Sequence, residues 1–187
     1  MKDILFEIYK DKRTIFRLTD VAMLQPQMEN TYLSNRLNYY VRTGKLLRLR
    51  RGIFAKPDYN PEELACMLYA PSYLSLEYVL QRAGVIFQFD SRYTIVSYLN
   101  RELEVDGKTF RFRKIKGECF IDRKGIILRD NVNIATPERA FLDLLYLNKD
   151  FYFDNLHTLD KATVYEILPS YNSVALTQRV HKLLIDG

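Results

Sequence analysis

At Gly44 the hydrophobic period of the chain switches from helical to alternating, which limits what the first third can fold into. Before it, Leu33, Leu37, Tyr40 and Val41 recur at the spacing that lines one face of a helix. After it comes Lys45-Leu46-Leu47-Arg48-Leu49-Arg50-Arg51. There Leu47 and Leu49 fall on one side of an extended strand, Arg48 and Arg50 on the other. A glycine in left-handed conformation commonly closes a helix, so Gly44, following Thr43, marks the end of the helical segment. Arg51-Gly52 then turns the chain, and Ile53-Phe54-Ala55 returns it as a second strand.

Two further helices are expected upstream. Residues 2–12 place Ile4, Leu5, Ile8 and Tyr9 on one face. Thr19 precedes Asp-Val-Ala-Met-Leu, a cap followed by an acid in the first turn, and Pro26 stops that helix early. Asn30 caps the third. Three helices followed by a basic hairpin give the order of a winged helix-turn-helix, expected over residues 1–57. Pro57 and Pro61 bracket a short polar stretch that we take as the domain boundary, with a second domain over residues 58–187.

That second domain mixes helix and strand. Pro61 to Tyr69 and Ser75 to Ala83 are expected as helices, the latter capped by Ser75 and ended by Gly84. Residues 85–132 are rich in Ile, Val, Phe and Tyr, with turn signals at Asp106-Gly107, Lys116-Gly117 and Lys124-Gly125. They predict an antiparallel sheet in which Glu104-Val105 and Thr109–Phe112 flank one hairpin. Thr136-Pro137-Glu138 starts a largely buried helix carrying Ala140, Phe141, Leu144, Leu145 and Leu147. Two more helices are expected near Lys161–Leu168 and Ser173–Ile185. The fold class is therefore α+β: an N-terminal winged helix-turn-helix, then a mixed domain with an antiparallel sheet and helices.

Charge divides the chain at the same place. The net charge is +5, but residues 1–60 hold 12 Lys/Arg against 6 Asp/Glu, a net of +6. The remainder holds 16 against 17, a net of −1. Such asymmetry points to a nucleic-acid or membrane-surface module joined to a neutral domain. The hairpin lacks the large exposed apolar face that binding at a membrane surface requires. No run approaches the length of a membrane span, and acids interrupt the N-terminus too early for a secretory signal. A cytoplasmic protein with no membrane partner is expected.

Duplex DNA presents dense phosphate charge, so a binder needs bases on one surface and short polar groups that reach base edges. Opposite the apolar face, the third helix carries Thr31, Asn35, Asn38, Tyr39 and Arg42, flanked by Tyr32 and Arg36. Asn pairs with adenine, Arg with guanine, and hydroxyls with phosphate. The N-terminal half of this helix would enter the major groove. Lys45, Arg48, Arg50 and Arg51 add charge suited to phosphates or the minor groove. Edge-strand arginines also discourage aggregation, so a solvated, partnerless hairpin is the competing explanation. Against it, the excess of positive charge is confined to this module and residues 30–57 contain no acid.

The run from Tyr32-Leu33-Ser34 through Gly44-Lys45-Leu46-Leu47-Arg48-Leu49-Arg50-Arg51-Gly52-Ile53-Phe54-Ala55 resembles the winged-helix segment of AbiEi-type antitoxins. Two later motifs carry the same resemblance: Pro71-Ser72-Tyr73-Leu74-Ser75-Leu76-Glu77, and Ile134-Ala135-Thr136-Pro137-Glu138-Arg139-Ala140-Phe141-Leu142-Asp143-Leu144. Together they cover roughly residues 10–147; nothing after Asn148 contributes. The resemblance implies a type IV toxin–antitoxin system linked to phage defence. It implies an N-terminal domain that represses its own promoter by binding inverted repeats in double-stranded DNA. It also implies a C-terminal domain that counters a nucleotidyltransferase toxin, without requiring a stable complex.

Two alternatives compete with that reading. Pro57-Asp58 and Asp122-Arg123-Lys124 spell the acid and lysine pattern of a Mg²⁺-dependent nuclease, although the second reads more simply as a turn between strands. Fourteen tyrosines and Phe151-Tyr152-Phe153 could instead equip a repressor with a protein-interaction domain. His157 and His181 lack a nearby acid or cysteine and suit surface or capping positions. Ser75 has no accompanying base and is expected as a helix cap, with Tyr73 and Tyr78 as ordinary core or interface aromatics. Thr136, Glu138 and Arg139 are expected as a capped helix start with locally paired charges. Cys66 and Cys119 stand alone, as reduced core thiols. The seven glycines are too scattered for a phosphate loop. No catalytic residue, cofactor or metal is expected, and the protein is not expected to be an enzyme.

Overall fold

Helix α3 (Asn30–Arg42) ends where the period changes: Thr43 closes it and Gly44 takes φ +71°. A Cβ on Gly44 would meet nothing within 4 Å, so the backbone conformation, not space, calls for glycine there. The computed structural model describes residues 3–185. The chain divides into two compact units, the first ending at Leu64 and the second beginning at Ala65.

In the first unit, α1 (Ile4–Lys10) is capped by the Asp3 carboxylate, which accepts from the Leu5 N–H at 3.0 Å. Then follow β1 (Ile15–Arg17), α2 (Leu18–Leu24), α3, β2 (Leu47–Arg50) and β3 (Ile53–Ala55). The apolar face of α3 buries Leu33, Leu37 and Tyr40 against Ile4, Ile8, Phe16, Val21, Leu46 and Phe54. Each such side chain contributes about 1.5–3 kcal/mol through its burial. That cluster holds the helices and the hairpin together.

Strand β1 has no counterpart in the sequence expectations. Three residues are too few to show an alternating pattern. It forms because Ile15, Phe16 and Arg17 pair with Ala55, Phe54 and Ile53, giving a sheet of order β1-β3-β2. β1 also runs directly into α2, so Thr19, expected as its cap, lies inside the helix. The Asp20 carboxylate closes the start instead, accepting from the Arg17 N–H at 2.6 Å. Glu29, not Asn30, occupies the cap position of α3. Between Arg48 and Arg50 the β2–β3 register shifts, while Leu47 and Leu49 stay half-buried and Arg48 and Arg50 exposed.

The division between the units falls later than the expected boundary after residue 57. It lies within α4 (Pro61–Leu68), because the segment after Pro57 is tied back into the first unit. Glu63 accepts from the N–H groups of Thr14 and Ile15 at 2.8 and 3.2 Å, and the Asn60 N–H donates to Thr14 Oγ1 at 2.8 Å.

The second unit runs through β4 (Ser72–Leu74), α5 (Glu77–Arg82), β5 (Tyr93–Ser97), β6 (Arg101–Val105), β7 (Lys108–Lys114), α6 (Gly117–Ile121), β8 (Ile126–Arg129) and β9 (Val132–Ala135). It ends in α7 (Pro137–Leu147), α8 (Lys161–Ile167), a 3-10 turn at Leu168–Tyr171 and α9 (Val174–Ile185). The six strands form one sheet of order β6-β7-β5-β4-β9-β8. This corrects the expected antiparallel sheet, since β5 pairs with β7 and β4 with β9 in parallel. In both places a hairpin turns outward to an edge, leaving its inner strand alongside a parallel neighbour. The hairpin turns are Asp106-Gly107 and Asp130-Asn131, all four residues at positive φ, as tight two-residue turns require.

Thr136 caps α7, its hydroxyl accepting from the Arg139 N–H at 3.3 Å, with Pro137 in the first turn. Ala140, Phe141, Leu142, Leu144 and Leu145 bury it against the rest of the unit. Ser75 does not cap a helix, because α5 begins only at Glu77. No described helix is long and apolar enough to cross a membrane.

Candidate nucleic-acid interface

The outer face of α3 and the β2–β3 hairpin present the polar side chains picked out from sequence. Thr31, Tyr32, Asn35, Tyr39, Arg42, Lys45, Arg48, Arg50 and Arg51 are exposed, and Arg36 and Asn38 are half-buried. The hairpin is tied to α3 by backbone: the N–H groups of Lys45 and Leu46 donate to the Tyr40 carbonyl at 2.9 and 3.2 Å. Tyr9 Oη on α1 donates to the Lys45 carbonyl at 2.8 Å, fixing the start of the hairpin from the other side. Helix and hairpin therefore form one supported surface. Within 30–57 every charge on it is positive, and no acid of that segment neutralises it.

Four of the expected contact residues have side-chain partners inside the protein: Thr31, whose Oγ1 donates to Glu29 Oε2 at 3.5 Å, and Arg36, Asn38 and Arg48. Arg36 Nη2 donates to Tyr40 Oη at 2.8 Å, and Tyr40 Oη donates to Asp3 Oδ1 at 3.2 Å, so α3 is coupled to the cap of α1. The Arg36 guanidinium also lies 5.6 and 5.1 Å from the ring centroids of Tyr39 and Tyr40. Its donation to Tyr40 raises the Arg36 pKa further, while burial pushes the Tyr40 phenol up. Asn38 accepts through Oδ1 from Arg48 Nη2, across the bend at Gly44. Asn35 has no side-chain partner among the described residues.

The second unit holds a polar constellation that the sequence expectations divided among caps and core aromatics. Arg139 and Asp143, one turn apart on α7, are both 0% exposed, with Nε to Oδ1 at 3.3 Å. Arg139 Nη1 donates to the carbonyls of Asp122 and Lys124 at 3.1 and 3.0 Å. Its Nη2 donates to the Cys119 carbonyl and to Tyr73 Oη at 2.5 and 3.2 Å. Asp143 accepts from Tyr73 Oη at 3.0 Å, Ser75 Oγ at 2.8 Å and Tyr171 Oη at 2.6 Å. Burial pushes the Asp143 carboxyl up, and Arg139 with the three hydroxyls opposes that push. Gly125 packs so closely that a Cβ there would sit 2.8 Å from Arg139 Cβ. The cluster locks α7 to β4, to the segment 119–124 and to the 3-10 turn.

The remaining candidates are held as follows. Asp122 accepts from Ser170 Oγ at 2.6 Å and, with that bond as the main cause, its carboxyl is held low; Asp58 belongs to the first unit. Among the described residues no three His, Cys, Asp or Glu side chains gather as a metal site would need. His157 and His181 are exposed. Neither Cys66 nor Cys119 forms a disulfide among the described residues, and Cys119 is buried and Cys66 half-buried. No protein-family model matches the chain, and no curated protein matches it.

Proposed function

We propose that the first unit is a winged helix-turn-helix that binds double-stranded DNA, with α3 in the major groove and the β2–β3 hairpin as the wing. The observation that carries this is that α3 and the hairpin, whose residues 30–57 contain no acid, are joined by backbone through Tyr40 and Lys45, with Glu29 the acid at the start of α3. The element order supports the reading, because α2 and α3 follow one another and the β2–β3 hairpin comes directly after α3. A charged hairpin beside a polar helix supplies both phosphate contacts and base contacts. The protein acts as a repressor at its own promoter, in the cytoplasm and without catalytic chemistry.

Binding of the full chain to the duplex upstream of its coding sequence tests this. The triple variant Arg48→Ala/Arg50→Ala/Arg51→Ala should bind more weakly at every salt concentration. Its salt dependence should flatten by about one unit per lost phosphate contact. Parent-like affinity in that variant at matched salt would remove the wing from the interface.

The resemblance to AbiEi-type antitoxins extends the proposal to the second unit, which then counters a nucleotidyltransferase toxin. Growth of cells expressing a neighbouring nucleotidyltransferase, with and without the full chain, tests it; absence of rescue leaves the repressor alone. A protein-interaction role is the second reading of this unit. It is favoured by Phe87, Phe89 and Tyr152, exposed by 69%, 81% and 78%. Phe153, by contrast, is buried against Phe141 and Phe151.

A further inference from the structure

We propose that Asn38 does not read a base but is a positioning residue that holds Arg48 toward a backbone phosphate. The inference rests on the DNA-binding proposal above. Asn38 lies on α3 and Arg48 on β2, on opposite sides of the Gly44 bend, yet Arg48 Nη2 donates to Asn38 Oδ1. A guanidinium only donates, so this bond fixes the amide: Oδ1 faces Arg48 and Nδ2 faces away. An asparagine that recognises adenine uses Oδ1 and Nδ2 together on one base edge. Arg48 occupies the Oδ1 side of Asn38, which leaves a lone donor and no bidentate contact.

Arg48 is restrained from a second direction. Its guanidinium lies 5.5 Å from the ring centroid of Phe54, a buried residue of β3. An amide on one side and an aromatic ring on the other narrow the rotamers of a long side chain that binding would otherwise have to order. The charge stays available, because Arg48 is exposed and forms no ion pair among the described residues. The restrained cation sits at the junction of helix and hairpin. A strand following α3 in the groove toward the hairpin would pass its phosphates there. Asn35, one turn earlier and without a side-chain partner among the described residues, keeps both amide groups for a base.

A double-mutant cycle on the full chain tests this, using the duplex upstream of the coding sequence and a scrambled duplex of equal composition. Asn38→Ala should weaken binding to both duplexes alike by about three- to tenfold, the range of one intramolecular hydrogen bond. Arg48→Ala should flatten the salt dependence by about one unit. In the Arg48→Ala background, Asn38→Ala should change nothing further. Alanine suits a helix interior, and matched thermal unfolding of all four proteins separates lost contacts from lost fold. A loss confined to the upstream duplex, or an equal loss in the Arg48→Ala background, overturns the assignment while leaving DNA binding intact. A parent protein that binds neither duplex overturns both.

Discussion

Arg48 and Arg139 are each held by a side-chain oxygen and by aromatic rings, but one is exposed and the other is 0% exposed. Arg139 spends all five N–H donors inside the protein: on Asp143, on three carbonyls and on Tyr73. Arg48 spends one donor on Asn38 and keeps its charge at the surface. The same residue type therefore fastens a core in the second unit and prepares a binding surface in the first. What separates the roles is the protein's own acceptors: where they satisfy every donor, nothing is left for a ligand.

The sharpest way to break that comparison is to remove Arg139. Arg139→Met leaves Asp143 buried without its counter-charge, and urea unfolding should show a loss of about 3–5 kcal/mol. Arg139→Met/Asp143→Leu removes both charges and should recover a large part of that loss. If the double variant is no more stable than the single, the pair is not what fastens α7.

Asn35→Ala makes the opposite experiment in the first unit. It should leave the unfolding midpoint nearly unchanged, because a surface side chain with no described partner contributes little to stability. It should instead cost about 1–3 kcal/mol of binding on the upstream duplex and little on scrambled DNA. Equal losses on both duplexes would show that α3 positions the protein without reading sequence.

The smallest effect provides a control common to both units. Asp11 with Arg13 and Asp90 with Arg92 form the same two-residue-spaced pair, each with its shortest contact at 2.7 Å. In each case the bonded guanidinium is the main cause that holds the carboxyl below its ordinary value. A depressed folded pKa stabilises above the unfolded value of about 4 and is lost as pH falls through the folded pKa. The arginines are 34% and 36% exposed, so solvent screening keeps each contribution within about 1 kcal/mol. Melting temperature followed from neutral pH into the acid range should fall slightly less steeply for Asp11→Asn and Asp90→Asn than for the parent. A marked difference between the two would mean that the units differ in more than the burial of their pairs.

Local rules made the first unit's surface legible. The period switch at Gly44, the alternation of Leu47 and Leu49 with Arg48 and Arg50, and the lack of acids in 30–57 are properties of neighbours in sequence. Thr136-Pro137 at the start of α7 was legible for the same reason. The Asn38–Arg48 bond was not, because it depends on the angle at which the chain returns after Gly44. β1 was hidden too: residues 15–17 become a strand only when β3 lies beside them.

The buried constellation marks the limit of sequence reading. Its members come from positions 73, 75, 139, 143 and 171, and chain order says nothing of their meeting. One signal was present: α7 is apolar around most of its girth after Glu138, so Arg139 and Asp143, one turn apart, fall among residues that are buried. Sequence alone determined the longer helices, the basic hairpin and where positive charge collects, since these follow from short-range periodicity and composition, whereas the short β1, β4 and α6 carry too few residues to show a period. The tertiary structure decided which strands run parallel, and which arginine is sealed in and which left facing water. Those outcomes depend on acceptors brought together from distant parts of the chain.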